Sequence, residues 1–107
     1  FGALPDYDKE LFVNKKSKTN LENSVIMLQE AIEALEGVSD WCVEKIHTTL
    51  LELAPKLEVK NGTLLWPVRI AAAGMTVTPG GAIEILAILG KEESLRRLRL
   101  GLEKLSA

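Results

Sequence analysis

A chain of 107 residues, 47% hydrophobic and 26% charged, has the composition of one soluble globular domain, long enough to bury a core without metal or disulfide staples. A net charge of −2 excludes nucleic-acid binding driven by an overall positive field, so any phosphate contact has to come from a local basic patch. The single cysteine, Cys42, excludes an internal disulfide and fits a reducing compartment, so a cytoplasmic location is expected.

At the N-terminus, Phe1-Gly2-Ala3-Leu4-Pro5 has neither the basic nor the apolar region of a signal peptide, and without an initiator Met the chain reads as a piece of a longer protein. Asp6 to Lys16 has the pattern of a short, partly charged helix, whose tail Asn14-Lys15-Lys16-Ser17-Lys18 is a polar connection. Thr19-Asn20-Leu21-Glu22 has the form of a capping box, in which the hydroxyl accepts from a free backbone N–H and the Glu reaches back to the cap residue. Leu21, Val25, Leu28, Ile32 and Leu35 then share one helix face, and Gly37 suits the left-handed position just past its end. Ser39 or Asp40 is placed to cap a second helix with Trp41, Ile46, Leu50, Leu53 and Leu57 as its buried stripe; Pro55 should kink or end it. No alternating strands flank Asn61-Gly62, which reads as a turn between helices.

A third helix is expected from Leu64 to Ala73, with Pro67 tolerable only near its first turn and Gly74 as its stop. The apolar run from Leu64 to Val77 contains Pro67 and Arg69 and is too short to span a bilayer, so no membrane partner is expected. After an extended Met75 to Val77, Thr78 as cap and Pro79 at the first helical position open a fourth helix that Gly90 ends. The fifth, Lys91 to Leu105, places Leu95, Leu98, Leu102 and Leu105 on one face, with Arg96, Arg97, Arg99 and Lys104 around the others. The expected fold class is all-α, a compact bundle of about five short helices. It forms one domain over residues 1–107, with 1–18 as a lead-in, 19–60 as a two-helix part and 61–107 as a distinct third part.

Catalytic chemistry has little to stand on. His47, the sole histidine, lies in a helical stretch with no evident partner, and Cys42 sits beside Trp41 and Val43, where packing as a small apolar residue is the simpler account. No Cys/His cluster has zinc spacing, no acidic loop resembles a calcium site, and the glycine-bearing stretches lack the Gly-Lys-Ser/Thr ending of a phosphate loop. Glu30, Glu33, Glu36, Glu44 and Glu52 are scattered over helix faces, where solvation explains them. No metal, cofactor or catalytic residue is therefore expected in this chain.

Arg69 is the residue that local rules explain least, because Leu64 to Ala73 is otherwise apolar; its guanidinium must snorkel, find a carboxylate or be held for a ligand. Trp66, three residues earlier, lies on the same side, and an aromatic plane beside an Arg is a pairing that stacks and hydrogen-bonds unstacked bases, although core packing also explains it. The turn Thr78-Pro79-Gly80-Gly81 brings a helix N-terminus to an open backbone whose free N–H groups favour anions or base acceptors, beside its plain role of starting a helix. Lys91, Arg96, Arg97 and Arg99 form the densest cationic segment and Lys15, Lys16 and Lys18 a second; they are candidate phosphate contacts or simply solvated faces.

The block Lys60-Asn61-Gly62 through Pro67-Val68-Arg69 to Gly74, then Thr78-Pro79-Gly80, then Glu84-Ile85 and Leu89-Gly90-Lys91-Glu92, resembles the C-terminal signature of bacterial glutamyl-tRNA synthetases. Upstream, Leu4-Pro5-Asp6-Tyr7-Asp8, Glu10-Leu11, Lys15-Lys16 and Lys18-Thr19 are similar to the lead-in of clostridial-type members. The resemblance spans essentially the whole chain and is specific in Asn61 to Glu92. It implies the all-helical anticodon-binding domain of a class I enzyme that joins glutamate to its tRNA using ATP and Mg2+ in a separate catalytic domain. Neither signature motif of that catalytic fold occurs here. The resemblance further implies glutamate tRNA and the upstream catalytic and helical domains as partners, a monomer, and base contacts at Arg69, Thr78, Pro79 and Gly80. This chain departs from the family at Gly81-Ala82, where a bulky pair is common, and at Asn14 and Ser17, which replace a His and a Met.

Two functions thus compete. In the first, Arg69 and the Thr78–Gly81 turn read unpaired loop bases while the basic residues hold phosphates. In the second, the chain is a helical protein-interaction module in which Arg69 makes a buried ion pair.

Overall fold

The structure, a computed structural model, describes residues 7, 9–15, 18–74 and 81–106. Among these are a 3-10 turn at Lys9–Phe12 and five α-helices: α1 (Leu21–Glu36), α2 (Val43–Lys56), α3 (Asn61–Ala73), α4 (Ala82–Leu89) and α5 (Lys91–Ser106). No strand occurs among the described residues; the only pairing of extended backbone there is an isolated bridge between Asn14 and Thr19. The helical-bundle expectation holds.

The lead-in is not a full helix. Among its described residues the helical part is a single 3-10 turn, Lys9–Phe12, whose Phe12 is fully buried, and Thr19 Oγ1 donates to the Phe12 carbonyl at 2.7 Å. That bond takes the hydroxyl expected to cap α1. The cap is instead Asn20, which exchanges side-chain bonds with Asn23, its carboxamide accepting from the Asn23 N–H at 2.8 Å and its N–H donating to Asn23 Oδ1 at 2.7 Å. The capping box therefore stands one residue later than expected and is built from two amides.

Helix α1 buries Met27, Leu28, Ala31, Ile32 and Leu35, while the expected Leu21 and Val25 are only half-buried at its first turns. Helix α2 starts after Cys42 and not after Ser39 or Asp40, and Cys42 supplies no side-chain cap bond. Its buried stripe is Ile46, Leu50, Leu53 and Ala54, and it ends one residue past Pro55, as a proline near a helix end requires.

Helix α3 begins three residues earlier than expected. Asn61-Gly62 is its first turn, not a connection, because Lys60 is extended (φ −77°, ψ 157°) and its carbonyl accepts from Thr63 and Leu64 N–H at 3.0 and 3.4 Å. Pro67 consequently lies well inside the helix and withholds the N–H that the Thr63 carbonyl would otherwise receive. Pro67, Val68, Ile70, Ala71, Ala72 and Ala73 are all buried, so tertiary packing offsets that loss. Gly74 closes the helix in the left-handed conformation (φ 70°, ψ 19°), its N–H donating to Ile70 O at 2.7 Å.

Helix α4 begins at Ala82 behind an extended Gly81 (φ −77°, ψ 171°), so Gly81 is the N-cap that had been expected at Thr78; residues 75–80 lie outside the described set. Gly90 ends it as expected. The Leu86 carbonyl near that end accepts from Trp41 Nε1 at 2.8 Å and Ser94 Oγ at 3.0 Å, which ties α4 to the start of α2 and to α5.

Helix α5 buries Leu95, Leu98 and Gly101, with Leu102 and Leu105 half-buried. At Gly101 the helix meets α3 so closely that an added Cβ would stand 2.9 Å from Ala71 Cβ, 3.3 Å from Tyr7 Oη and 3.4 Å from the tip of Phe12. Glycine costs helix propensity, but here it permits the crossing. Gly101→Leu is expected to destabilise the domain by about 2 kcal/mol through overpacking, read as a fall in the urea midpoint. An unchanged or raised midpoint would show that the crossing relaxes freely.

Candidate nucleic-acid interface

Helical spacing places Gly62, Leu65, Trp66 and Arg69 on one face of α3, and this face forms one wall of a cavity of about 280 Å³. Gly81, Ala82, Ile83 and Glu84, from the cap and first turn of α4, form the other wall. Trp66 is fixed by its indole Nε1–H, which donates to the Leu11 carbonyl at 2.9 Å, so the 3-10 turn holds the ring in place from behind. The indole thus packs against the core and also lines the cavity.

Arg69 is half-buried, and among the described residues its guanidinium forms no hydrogen bond or ion pair. The buried ion pair required of a protein-interaction module is therefore missing there. An open, mostly apolar cavity with a guanidinium that has no partner among the described residues, beside an aromatic wall, can accommodate a planar polar group. Thr78, Pro79 and Gly80 lie outside the described residues; Gly81 is described and lines the cavity.

The basic segment of α5 is not the free cationic face that its charges suggest. Arg97 is 1% exposed, with Nε donating to Glu93 Oε2 at 2.6 Å and Nη1 to the Ala72 carbonyl at 2.8 Å. Its charge is spent on holding α5 to the end of α3, which removes it from the phosphate-binding candidates. Arg96 forks onto the same Glu93 with bonds of 2.7 and 2.6 Å, and the two guanidinium hydrogen bonds hold the Glu93 carboxyl down at about 2.

Lys91 Nζ donates to the carbonyls of Glu36 and Val38 at 2.9 and 2.6 Å, so it closes the C-terminal end of α1. Arg99 makes an exposed pair with Glu36 at 3.1 Å, which water weakens. Arg96 and Arg99 remain exposed, as do Lys15 and Lys18, while Lys16 lies outside the described residues. Lys104 stands 4.3 Å over the Tyr7 ring and donates to the Tyr7 carbonyl at 2.6 Å, another cation used inside the fold.

His47 is exposed on α2, and Cys42 is half-buried where a buried packing residue was expected. Among the described residues no group of three or more His, Cys, Asp or Glu side chains could hold a metal, and no helix is long and apolar enough to cross a membrane. Sequence reasoning did not single out Gly62, Leu65, Ala82, Ile83 or Glu84 as cavity residues. Gly62 and Leu65 were within reach, because they lie seven and four residues before Arg69 on its helical face.

Residues 1–102 match the family model described as an anticodon binding domain, and the chain belongs to that family. Its relatives include the glutamate–tRNA ligases of Clostridium tetani, 52% identical over 98% of this chain, and Clostridium novyi, 50% identical over 95%. The chain spans 22% and 21% of the length of those two relatives. Among solved structures, a glutamate tRNA ligase from Elizabethkingia meningosepticum in complex with its amino acid superposes with a TM-score of 0.78 at 25% identity, over 96% of this chain and 20% of that one.

Proposed function

We propose that this chain is the anticodon-recognition part of a glutamate–tRNA ligase that works in the cytoplasm. The carrying observation is the cavity of Trp66, Arg69 and Gly81, in which a guanidinium without a partner among the described residues stands beside an indole. The match of 98% of this chain to part of a glutamate–tRNA ligase points the same way. In this reading a loop base stacks on Trp66 and accepts hydrogen bonds from Arg69, and the Thr78-Pro79-Gly80 backbone adds further contacts. In the same reading Arg96, Arg99, Lys15, Lys16 and Lys18 contact phosphates, and Lys91 contributes with whatever its bonds to the end of α1 leave free. ATP and Mg2+ would act in the remaining four-fifths of such a ligase, and this chain would supply recognition without chemistry.

The test is a titration of the chain with a labelled anticodon stem-loop of glutamate tRNA at several salt concentrations. Affinity is expected to be weak and to fall with salt with a slope of roughly 2–4 phosphates neutralised, since Lys91, Arg97 and Lys104 bond to backbone carbonyls within the fold. It should also change when the anticodon bases are replaced. Affinity indifferent to the anticodon would refute the proposal.

A further inference from the structure

Glu84 stands on the cavity wall formed by the first turn of α4, as Arg69 stands on the wall formed by α3. Its position, three residues past the Gly81 cap, is where a glutamate ordinarily folds back to accept the cap residue's N–H. The carboxylate does fold back, since Oε2 lies 2.7 Å from where a Cβ at Gly81 would stand. Among the described residues, however, it accepts no hydrogen bond from Gly81 and makes no ion pair with Arg69 or any other cation. A favourable interaction with the helix N-terminus explains why an acid is tolerated there. The carboxylate lies over Gly81, in space that a side chain at that position would contest.

The cavity therefore presents a guanidinium donor and a carboxylate acceptor that do not close on each other, with the Trp66 indole lining the same cavity. A ligand that bridges them must carry an acceptor and a donor on the same planar edge. We propose, on the footing of the anticodon reading above, that Glu84 is a specificity-determining residue that selects a base bearing an exocyclic amino group. The amino group donates to the Glu84 carboxylate while ring acceptors on the same edge take the Arg69 N–H groups. Cytosine presents that edge. Uracil places a carbonyl oxygen where the amino group would be, and two acceptors then face each other. Gly81 is part of the device, because the missing side chain leaves room for the carboxylate.

The experiment measures binding of the 107-residue chain to glutamate-tRNA anticodon stem-loops in which each anticodon base in turn is cytosine or uracil. At one position the wild type is expected to favour cytosine by roughly tenfold or more, the discrimination of one well-made base contact. Glu84→Gln, whose amide can turn to donate to the uracil carbonyl, should bring that ratio to within about threefold of unity. Gly81→Leu, which displaces the carboxylate, should do the same. A wild-type chain that binds in an anticodon-dependent way but shows no cytosine preference overturns the role of Glu84 and leaves the anticodon reading standing. So does a preference that survives both substitutions. Loss of all anticodon dependence in the wild type overturns both.

Discussion

Glu93→Ala is expected to lower the stability of the domain by about 2–3 kcal/mol, because it takes the carboxylate away from a guanidinium that is 1% exposed. The figure lies at or below the low end of what breaking a buried pair costs, since the Glu93 side chain is itself 31% exposed and Arg97 keeps its bond to the Ala72 carbonyl. Thermal melting should show a fall of roughly 10 °C or more. Adding Arg97→Met to that variant should recover part of the loss, because an apolar side chain of similar length removes the buried charge and refills the space. Double variants no more stable than the single one would refute the charge argument.

The same pair sets an acid limit. Glu93 is held at about 2 in the folded chain against an ordinary value of 4.5, so its contribution is fully present above about pH 4.5 and is lost as pH falls toward 2. The Glu93→Ala variant should lose correspondingly less stability across that window, which urea midpoints at pH 5 and pH 3 would measure.

Arg69→Ala is expected to have the opposite profile. It removes a guanidinium that bonds to nothing among the described residues, so the melting temperature should move by only a few degrees. Affinity for the glutamate-tRNA anticodon stem-loop should fall by about 1–3 kcal/mol, and discrimination at the contacted base should relax with it. Arg69→Lys should restore little, because an ammonium cannot offer the planar fork that bonds a base edge at two points. A large loss of melting temperature with unchanged RNA affinity would assign Arg69 to the fold instead of to the ligand.

Helix identity was legible wherever apolar spacing ran long. Leu28, Ile32 and Leu35 in α1, and Ile46, Leu50 and Leu53 in α2, are buried as their period required. The stops at Gly74 and Gly90 were legible for a local reason as well, since both adopt positive φ, 70° and 84°, which glycine reaches without strain. Helix starts were less so. Thr19 had the right form for a cap but spends its hydroxyl on Phe12, a residue it meets only because the lead-in folds back against α1. Asn61-Gly62 looked like a turn and is helical, because burial of the next eleven residues' inner face outweighs the poor propensity of a glycine at the first turn.

The two arginines mark the division most sharply. Arg69 stands out because its neighbours are apolar, a property of the chain itself, and a base contact there is what the resemblance of its surrounding block implies. Arg97 looked like one more charge on a solvated basic helix. Only the tertiary structure decided that Arg97 lies inside and Arg69 borders open space. The physical reason is nonlocal. Close approach of α5 to α3 at Gly101 and Ala71 brings the Ala72 carbonyl within reach of Arg97, while the start of α4 meets the Arg69 face of α3 without supplying a partner to its guanidinium. Whether a helical cation serves the fold or a ligand depends on which acceptors other elements bring to it, and that information is not carried by the cation's own neighbours in the chain.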